Sequence, residues 1–265
     1  MPRRLISLAL SGLLLSATTV SAQWYPYTLD TGRELTLTAG GLGSLIAAYA
    51  VESGQDPFTP QEIDGLDPAD VNGFDRSATE HWSPSAATAS DVLVWSLLAA
   101  PLGLAATELK DGQPVTLGLM YVEALSLAVG TTQLIKGLAN RTRPYVYNQD
   151  PAIPEEHRLD TRARRSFPSG HTSTAFAAAV FLSSTYSKLH PHSSARPWVW
   201  VGSLVAAGTV GYLRYRAGEH FPTDLIGGAV IGASAGYLVP RLHDVSPAYI
   251  TPAEGGLTIG AQLQF

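Results

Sequence analysis

The sequence predicts an all-α protein: a helical bundle with six core helices and a short C-terminal strand or tail. Three observations carry that prediction. Hydrophobic residues make up 45% of the 265-residue chain and charged residues only 15%, too apolar for a disordered chain and poor in charge for a soluble surface. The apolar residues gather in six long runs, five of them without a formal charge. Alternation with period 2, the pattern of a half-buried strand, is confined to the last nine residues.

The elements follow in order. Arg3 and Arg4 precede an apolar run from Leu5 to Val20, and Val20-Ser21-Ala22 offers small residues at a cleavage position. This is the three-part pattern of a secretory signal peptide over residues 1–22, with a retained first membrane helix as the alternative. The six runs are Leu35–Val51, Val92–Thr107, Val115–Ile135, Ser169–Ser187, Trp198–Leu213 and Leu225–Pro240, with Glu123 the one charge inside them. Their lengths suit helices better than strands. Gly228, Gly232 and Gly236 recur at helical spacing, so another helix can come close. In the tail, Leu257, Ile259, Ala261, Leu263 and Phe265 alternate with polar or small residues, which predicts a short edge strand or docked tail. One candidate strand is far short of a membrane barrel.

Two long connections separate the runs. Residues 52–91 hold nine acids against Arg76 alone. The stretch Asp70-Val71-Asn72-Gly73 resembles a calcium loop poorly, because the first ligand position falls on Pro68 and the twelfth on Thr79. A solvated, partly helical loop is expected. Residues 139–168 are basic, with Arg141, Arg143, Arg158, Arg162, Arg164 and Arg165. A long loop inside a compact domain is functional or disordered.

Charge and composition exclude several functions. The net charge of −5 argues against nucleic acid as a partner, which needs a basic face. The chain has no cysteine, so disulfides, thiolate metal sites and cysteine nucleophiles are absent. Histidine and carboxylate chemistry remains.

Three fragments carry that chemistry. Lys136 to Pro144 follows an apolar helix, placing Lys136 near its C-terminal end. Pro168-Ser169-Gly170-His171 opens an uncharged helix. Ser169 is a good N-cap, Gly170 lets another group approach the backbone, and the free N–H groups of the first turn suit an anion. In Arg214…His220-Phe221-Pro222-Thr223-Asp224, Pro222 fits the first helical position and Asp224 can reach back over the helix start toward His220. Each fragment alone is an ordinary helix end. Together they place three cations, two histidines and a carboxylate at helix ends that one bundle mouth can gather. Phosphate chemistry needs this set. The remaining histidines (His81, His157, His190, His192, His243) show no comparable constellation, and no metal site is expected.

The joint pattern resembles the type-2 phosphatidate phosphatase and vanadium haloperoxidase superfamily. Its K-x6-R-P reads Lys136 to Pro144 and its P-S-G-H reads Pro168 to His171. Its S-R-x5-H-x3-D reads Leu213-Arg214, then His220 and Asp224, with Leu213 in place of the serine. The likeness covers roughly residues 92–240. Beside the leader (1–22), the N-terminal helix with the acidic loop (23–91) and the tail (244–265), all read from the residues alone, it implies a phosphatase bundle (92–243). It also implies metal-independent hydrolysis of phosphate monoesters or lipid (pyro)phosphates without a cofactor. His220 is the expected nucleophile, Asp224 its orienter and His171 the acid for the leaving group. Lys136, Arg143, Ser169, Gly170 and Arg214 are expected to hold the phosphate, and Arg141 is expected to be an exposed loop residue. The same pocket loaded with vanadate would oxidise halides. A non-catalytic helical membrane or lipid-binding protein is the third class. The expected substrate is a phosphorylated small molecule or lipid, and the expected location is the periplasm, soluble or membrane-associated. A cleaved leader followed by six spans would put the mouth in the cytoplasm, so export to that side requires that not all six runs span.

Overall fold

The computed structural model describes residues 25–108, 113–245, 248–253 and 256–261. The leader expected over residues 1–22 lies outside the described residues. In chain order the helices are α1 (Thr31–Glu52), α2 (Pro60–Asp64), α3 (Pro84–Thr107), α4 (Gln113–Ala139), α5 (Pro144–Tyr147), α6 (Glu155–Leu159), α7 (Gly170–Leu189), α8 (Arg196–Arg216) and α9 (Pro222–Leu242). The six long helices are the six apolar runs, and α2, α5 and α6 sit in the two long connections. The all-α class expected from the sequence is what the structure shows.

Boundaries follow local chemistry. Helix α3 starts at Pro84 rather than Val92, because Ser83 accepts from Ala86 N–H at 3.3 Å and Pro84 occupies the first turn. Its first turns were hidden inside the acidic connection by their serines, threonine and Asp91. Helix α7 starts on the Ser169 cap, whose Oγ accepts from Thr172 N–H. Losing that cap would cost about 0.5–2 kcal/mol.

Packing centres on α7. Ala175, Ala177, Ala178 and Ala179 are fully buried, and Met120, Phe181, Val210 and Val239 close around them. Helix α9 lies directly on α7. A Cβ at Gly228, Gly232 or Gly236 would collide with the carbonyl oxygens of Ser169, Ser173 and Ala177 respectively, so only glycine permits this backbone-to-backbone approach. Hydroxyls pair inside the bundle, as in Ser183–Ser203 at 2.6 Å and Thr132–Ser173 at 2.9 Å.

The outer faces are apolar. Trp95, Val115, Trp198, Val205, Ile226 and Val230 are all exposed. An interior of small and hydroxyl residues inside a bulky aliphatic exterior inverts the soluble pattern and matches packing in lipid. Helices α1, α3, α4 and α9 are long and apolar enough to cross a membrane. The build is that of a membrane protein.

The acidic connection is partly helical, as expected, but not simply solvated. Phe58 and Ile63 bury against Tyr145, Val146, Ile153 and Ala163 of the basic connection, and Val71 and Ala78 bury against Phe221. Asp75 is entirely buried. The tail forms an antiparallel hairpin of β1 (Ala248–Ala253) and β2 (Gly256–Ala261), with Ile250 opposite Ile259. The alternating segment therefore pairs with the residues just before it; Leu263 and Phe265 lie outside the described residues.

Candidate active site

Chain direction gathers the three motif fragments. Helices α4 and α8 end, and α7 and α9 begin, at one end of the bundle, beneath the 140–169 connection. Lys136, in the last turn of α4, is buried there. Its Nζ donates to the carbonyl oxygens of Arg165 at 2.8 Å and Ser166 at 3.2 Å. An ammonium has three donors, so one remains for a ligand.

Arg143 and Arg214 share a carboxylate that sequence reasoning missed. Glu219 Oε2 accepts from Arg143 Nη1 and lies 3.1 Å from Arg214 Nη2. Glu219 fixes both guanidinium groups in the wall of the mouth. The Nε atoms of Arg143 and Arg214 are buried with no hydrogen-bond partner, which suits an incoming oxyanion.

His220 and Asp224 form the buried half of the site, at 1% and 0% exposure. His220 Nδ1 lies 3.5 Å from Asp224 Oδ2 and makes no hydrogen bond. Asp224 does reach back over the helix start, but to the N–H of Phe221 at 2.9 Å. It also accepts from Ser166 Oγ at 2.5 Å and Arg141 Nη1 at 2.6 Å. The expected orienting contact is thus a close approach, with the carboxylate itself held by three other donors. With Nδ1 turned to Asp224, Nε2 is the nitrogen left for the cavity that His220 lines. Burial, reinforced by Lys136, Arg143, Arg214 and His171, holds the His220 imidazolium well below the usual histidine range. The ring is neutral near pH 7, as a nucleophile must be.

Arg141 is not the exposed loop residue expected. It bridges two buried carboxylates, Asp224 at 2.6 Å and Asp75 at 2.7 Å, and stacks over Phe221 at 4.2 Å. Asp75 also accepts from the Thr223 N–H at 3.0 Å and Oγ1 at 2.7 Å. Burial alone would raise its carboxyl; the bonds from Arg141, Asn72 and Thr223 outweigh that and hold it below the ordinary carboxylate range.

His171, in the first turn of α7, forms the open half. Its Nε2 lies 2.7 Å from Asp91 Oδ1 of α3, and both side chains reach solvent. Burial and the Arg214 charge push the His171 pKa down to about 4, against the pull of Asp91. The sequence motifs contain no sign of Asp91. Gly170 also lines the mouth, but the close approach expected there is ordinary: a Cβ would sit 3.7 Å from Lys136 Cε. Ser169 is fully buried and serves α7 as its cap.

One cavity of about 330 Å³ is lined by Lys136, Arg143, His171, Arg214, Glu219 and His220 among others. His157, passed over in the sequence, lines it too, packed edge-on to Trp82 with its ring tilted 4.7 Å from Tyr145. A second cavity of about 290 Å³ shares Gln133, Gly170 and His171 with the first and is otherwise walled by Val94, Trp95, Leu98 and Val129 with two threonines, Thr132 and Thr174. A cationic chamber therefore opens beside His171 into an apolar groove between α3, α4 and α7.

The stretch of chain that builds this mouth is similar to known proteins. The PAP2 superfamily profile matches residues 117–247. An undecaprenyl-diphosphatase of Sulfolobus acidocaldarius is 25% identical over 131 residues, covering 49% of this chain and 57% of the relative. A lipid A 4'-phosphatase of Bacteroides thetaiotaomicron is 31% identical over 128 residues, covering 45% and 52%. A lipid A 1-phosphatase of Porphyromonas gingivalis is 36% identical over 88 residues, covering 33% and 18%. The chain thus spans about half the length of the first two relatives. The crystal structure of a transmembrane PAP2 type phosphatidylglycerolphosphate phosphatase from Bacillus subtilis aligns with a TM-score of 0.48 at 20% identity, over 78% of this chain and 96% of that one.

Proposed function

We propose that this chain, whose residues 117–247 match the PAP2 superfamily, is a metal-independent phosphatase of lipid phosphates or pyrophosphates, working through a phosphohistidine. The observation that carries the reading is the shared chamber: His171 and His220 line one cavity with Lys136, Arg143 and Arg214. The apolar groove that opens beside His171 supports a lipid chain on the leaving side. The named activities of the relatives, on undecaprenyl diphosphate and lipid A, point the same way.

In this mechanism the three cations hold the non-bridging oxygens while His220 Nε2 attacks phosphorus. The P–O bond to the leaving group breaks as the P–N bond forms, and His171 gives its proton to the departing oxygen. Water then attacks the phosphohistidine, His171 takes the proton back from it, and phosphate leaves. Asp224 supports the His220 ring from the Nδ1 side. No cofactor takes part.

The acidic connection supports a mouth on the outer side of a cytoplasmic membrane, a placement that, after a cleaved leader, requires that α1, α3 and α4 do not all cross. Protease protection of the 53–83 segment in inverted vesicles tests that placement; cleavage from the cytoplasmic side would overturn it.

The function is tested by a substrate panel on purified protein in EDTA: phosphatidate, prenyl pyrophosphate and soluble phosphomonoesters. Lipid turnover with an acid-labile phosphoenzyme is expected. Halide oxidation after vanadate loading, without phosphatase activity, would overturn the reading.

A further inference from the structure

A second cluster of ionisable groups lies at the opposite end of the bundle. Glu34 stands in the first turn of α1, Glu123 inside α4, and His243 at the C-cap of α9. The 21 residues of α9 separate His243 from His220, roughly 30 Å of helix. The mechanism above uses none of the three.

Their hydrogen bonding is incomplete in a specific way. His243 Nδ1 lies 2.8 Å from the Val239 carbonyl oxygen. A carbonyl can only accept, so Nδ1 carries the proton and Nε2 is the free ring atom. That Nε2 lies 2.9 Å from Glu34 Oε2 and 3.3 Å from Glu123 Oε2. The other oxygen of Glu34 is already taken by the Asp30 N–H at 2.9 Å and by Arg33 at 2.8 Å. Glu123 has no such support. It is 1% exposed, and among the described residues neither of its oxygens accepts a hydrogen bond. A proton on His243 Nε2 would serve Glu34, the nearer acceptor, and leave Glu123 unmet. Burying a carboxylate in that state costs several kcal/mol.

A divalent cation removes the conflict. Two carboxylate oxygens and one imidazole nitrogen, with the other ring N–H on a backbone carbonyl, form the donor set and supporting bond of a transition-metal site. The three ligand atoms lie within 4.8 Å of one another. Ligands on a tetrahedral ion at about 2.1 Å stand about 3.4 Å apart, close to the two separations from Nε2. Imidazole favours zinc, copper, iron or nickel over magnesium or calcium. We infer that Glu34, Glu123 and His243 bind one divalent transition-metal ion of the zinc type, clasping α1 to α4 and α9 far from the phosphate chamber.

The test uses the full chain without an affinity tag, stripped with EDTA and dialysed against zinc chloride or cobalt chloride. One equivalent of zinc by mass spectrometry is expected at micromolar concentration. Cobalt should give a visible d–d band of an imidazole–carboxylate site. Glu123→Gln and His243→Asn should each lower zinc content at least about tenfold. His220→Ala should keep the full equivalent, which separates this site from the mouth. Wild-type protein that takes up no zinc and shows no cobalt band overturns the inference, whatever the variants do. Variants that bind as much as wild type also overturn it, as does a melting temperature that follows pH but ignores both metals.

Discussion

The two halves of the mouth are built on opposite terms. His220 is sealed: it and Asp224 have almost no contact with solvent, and Asp224 is fixed by Arg141, Ser166 and the Phe221 N–H. Behind them stands a further layer, Asp75 on Arg141 and Thr223. His171 has one polar partner, Asp91, and that carboxylate is half in solvent. The difference matches the two tasks. A nucleophile needs a fixed position and a neutral ring, which burial and surrounding cations supply. A proton donor must load and unload, so it sits where a single partner and the arriving substrate can retune it.

Substitutions should separate the halves in a graded way. His220→Ala should take lipid phosphatase activity to background, a loss above about 10⁴, and remove the acid-labile phosphoenzyme; residual phosphoenzyme would place the nucleophile elsewhere. His171→Ala should lose about 10²–10⁴ on alkyl phosphates but far less on p-nitrophenyl phosphate, whose leaving group needs no proton. Equal losses on both would deny His171 its role. Arg141→Ala strips a charge partner from two buried carboxylates. It should lower kcat by about 10–100-fold with little change in KM, and destabilise the fold by about 3–5 kcal/mol. Arg141→Lys should recover only part, because an ammonium cannot fork between Asp75 and Asp224. Asp91→Asn should be mildest, within about tenfold on the low-pH plateau.

The pH dependence sharpens the same contrast. His171 must be protonated to act, and its pKa in the free site is about 4, so kcat/KM should fall as pH rises above that value. Bound phosphate adds negative charge and raises the pKa, so the alkaline limb of kcat should lie at higher pH than that of kcat/KM. Asp91→Asn removes a group that favours the imidazolium, so both limbs should move to lower pH. A kcat/KM that climbs through neutral pH would reverse the assignment of the two rings. Burial and the surrounding cations hold His220 well below the ordinary histidine range, so any limb it contributes should lie on the acid side.

How much of this was legible follows from range. The six helices showed because uncharged runs of that length leave little alternative, and the Ser169 cap showed because a cap is a local bond. The eight motif residues were found as a pattern, and they meet in or around one mouth. What the sequence concealed are contacts between distant stretches. Asp75 lies 66 residues from Arg141 and 148 from Thr223, and in a loop with eight other acids it read as solvated charge. Asp91 and Glu219 were hidden likewise, one just ahead of an apolar run and one as a lone acid between two motif residues. Arg141 was misjudged because loop arginines are usually exposed, and its two anionic partners come from elsewhere in the chain. His243 showed nothing, since its neighbours Glu34 and Glu123 belong to other helices.

The glycine stripe of α9 has a consequence for the chemistry. His171 rides on α7 and His220 at the threshold of α9, so the gap between the two proposed reacting rings is gauged by how closely those two backbones touch. Gly228 lies nearest the mouth and Gly236 farthest from it, and both press against backbone carbonyls of α7. A single methyl inserted at either place would act as a shim, opening the jaws or skewing them without altering any group that meets the phosphate.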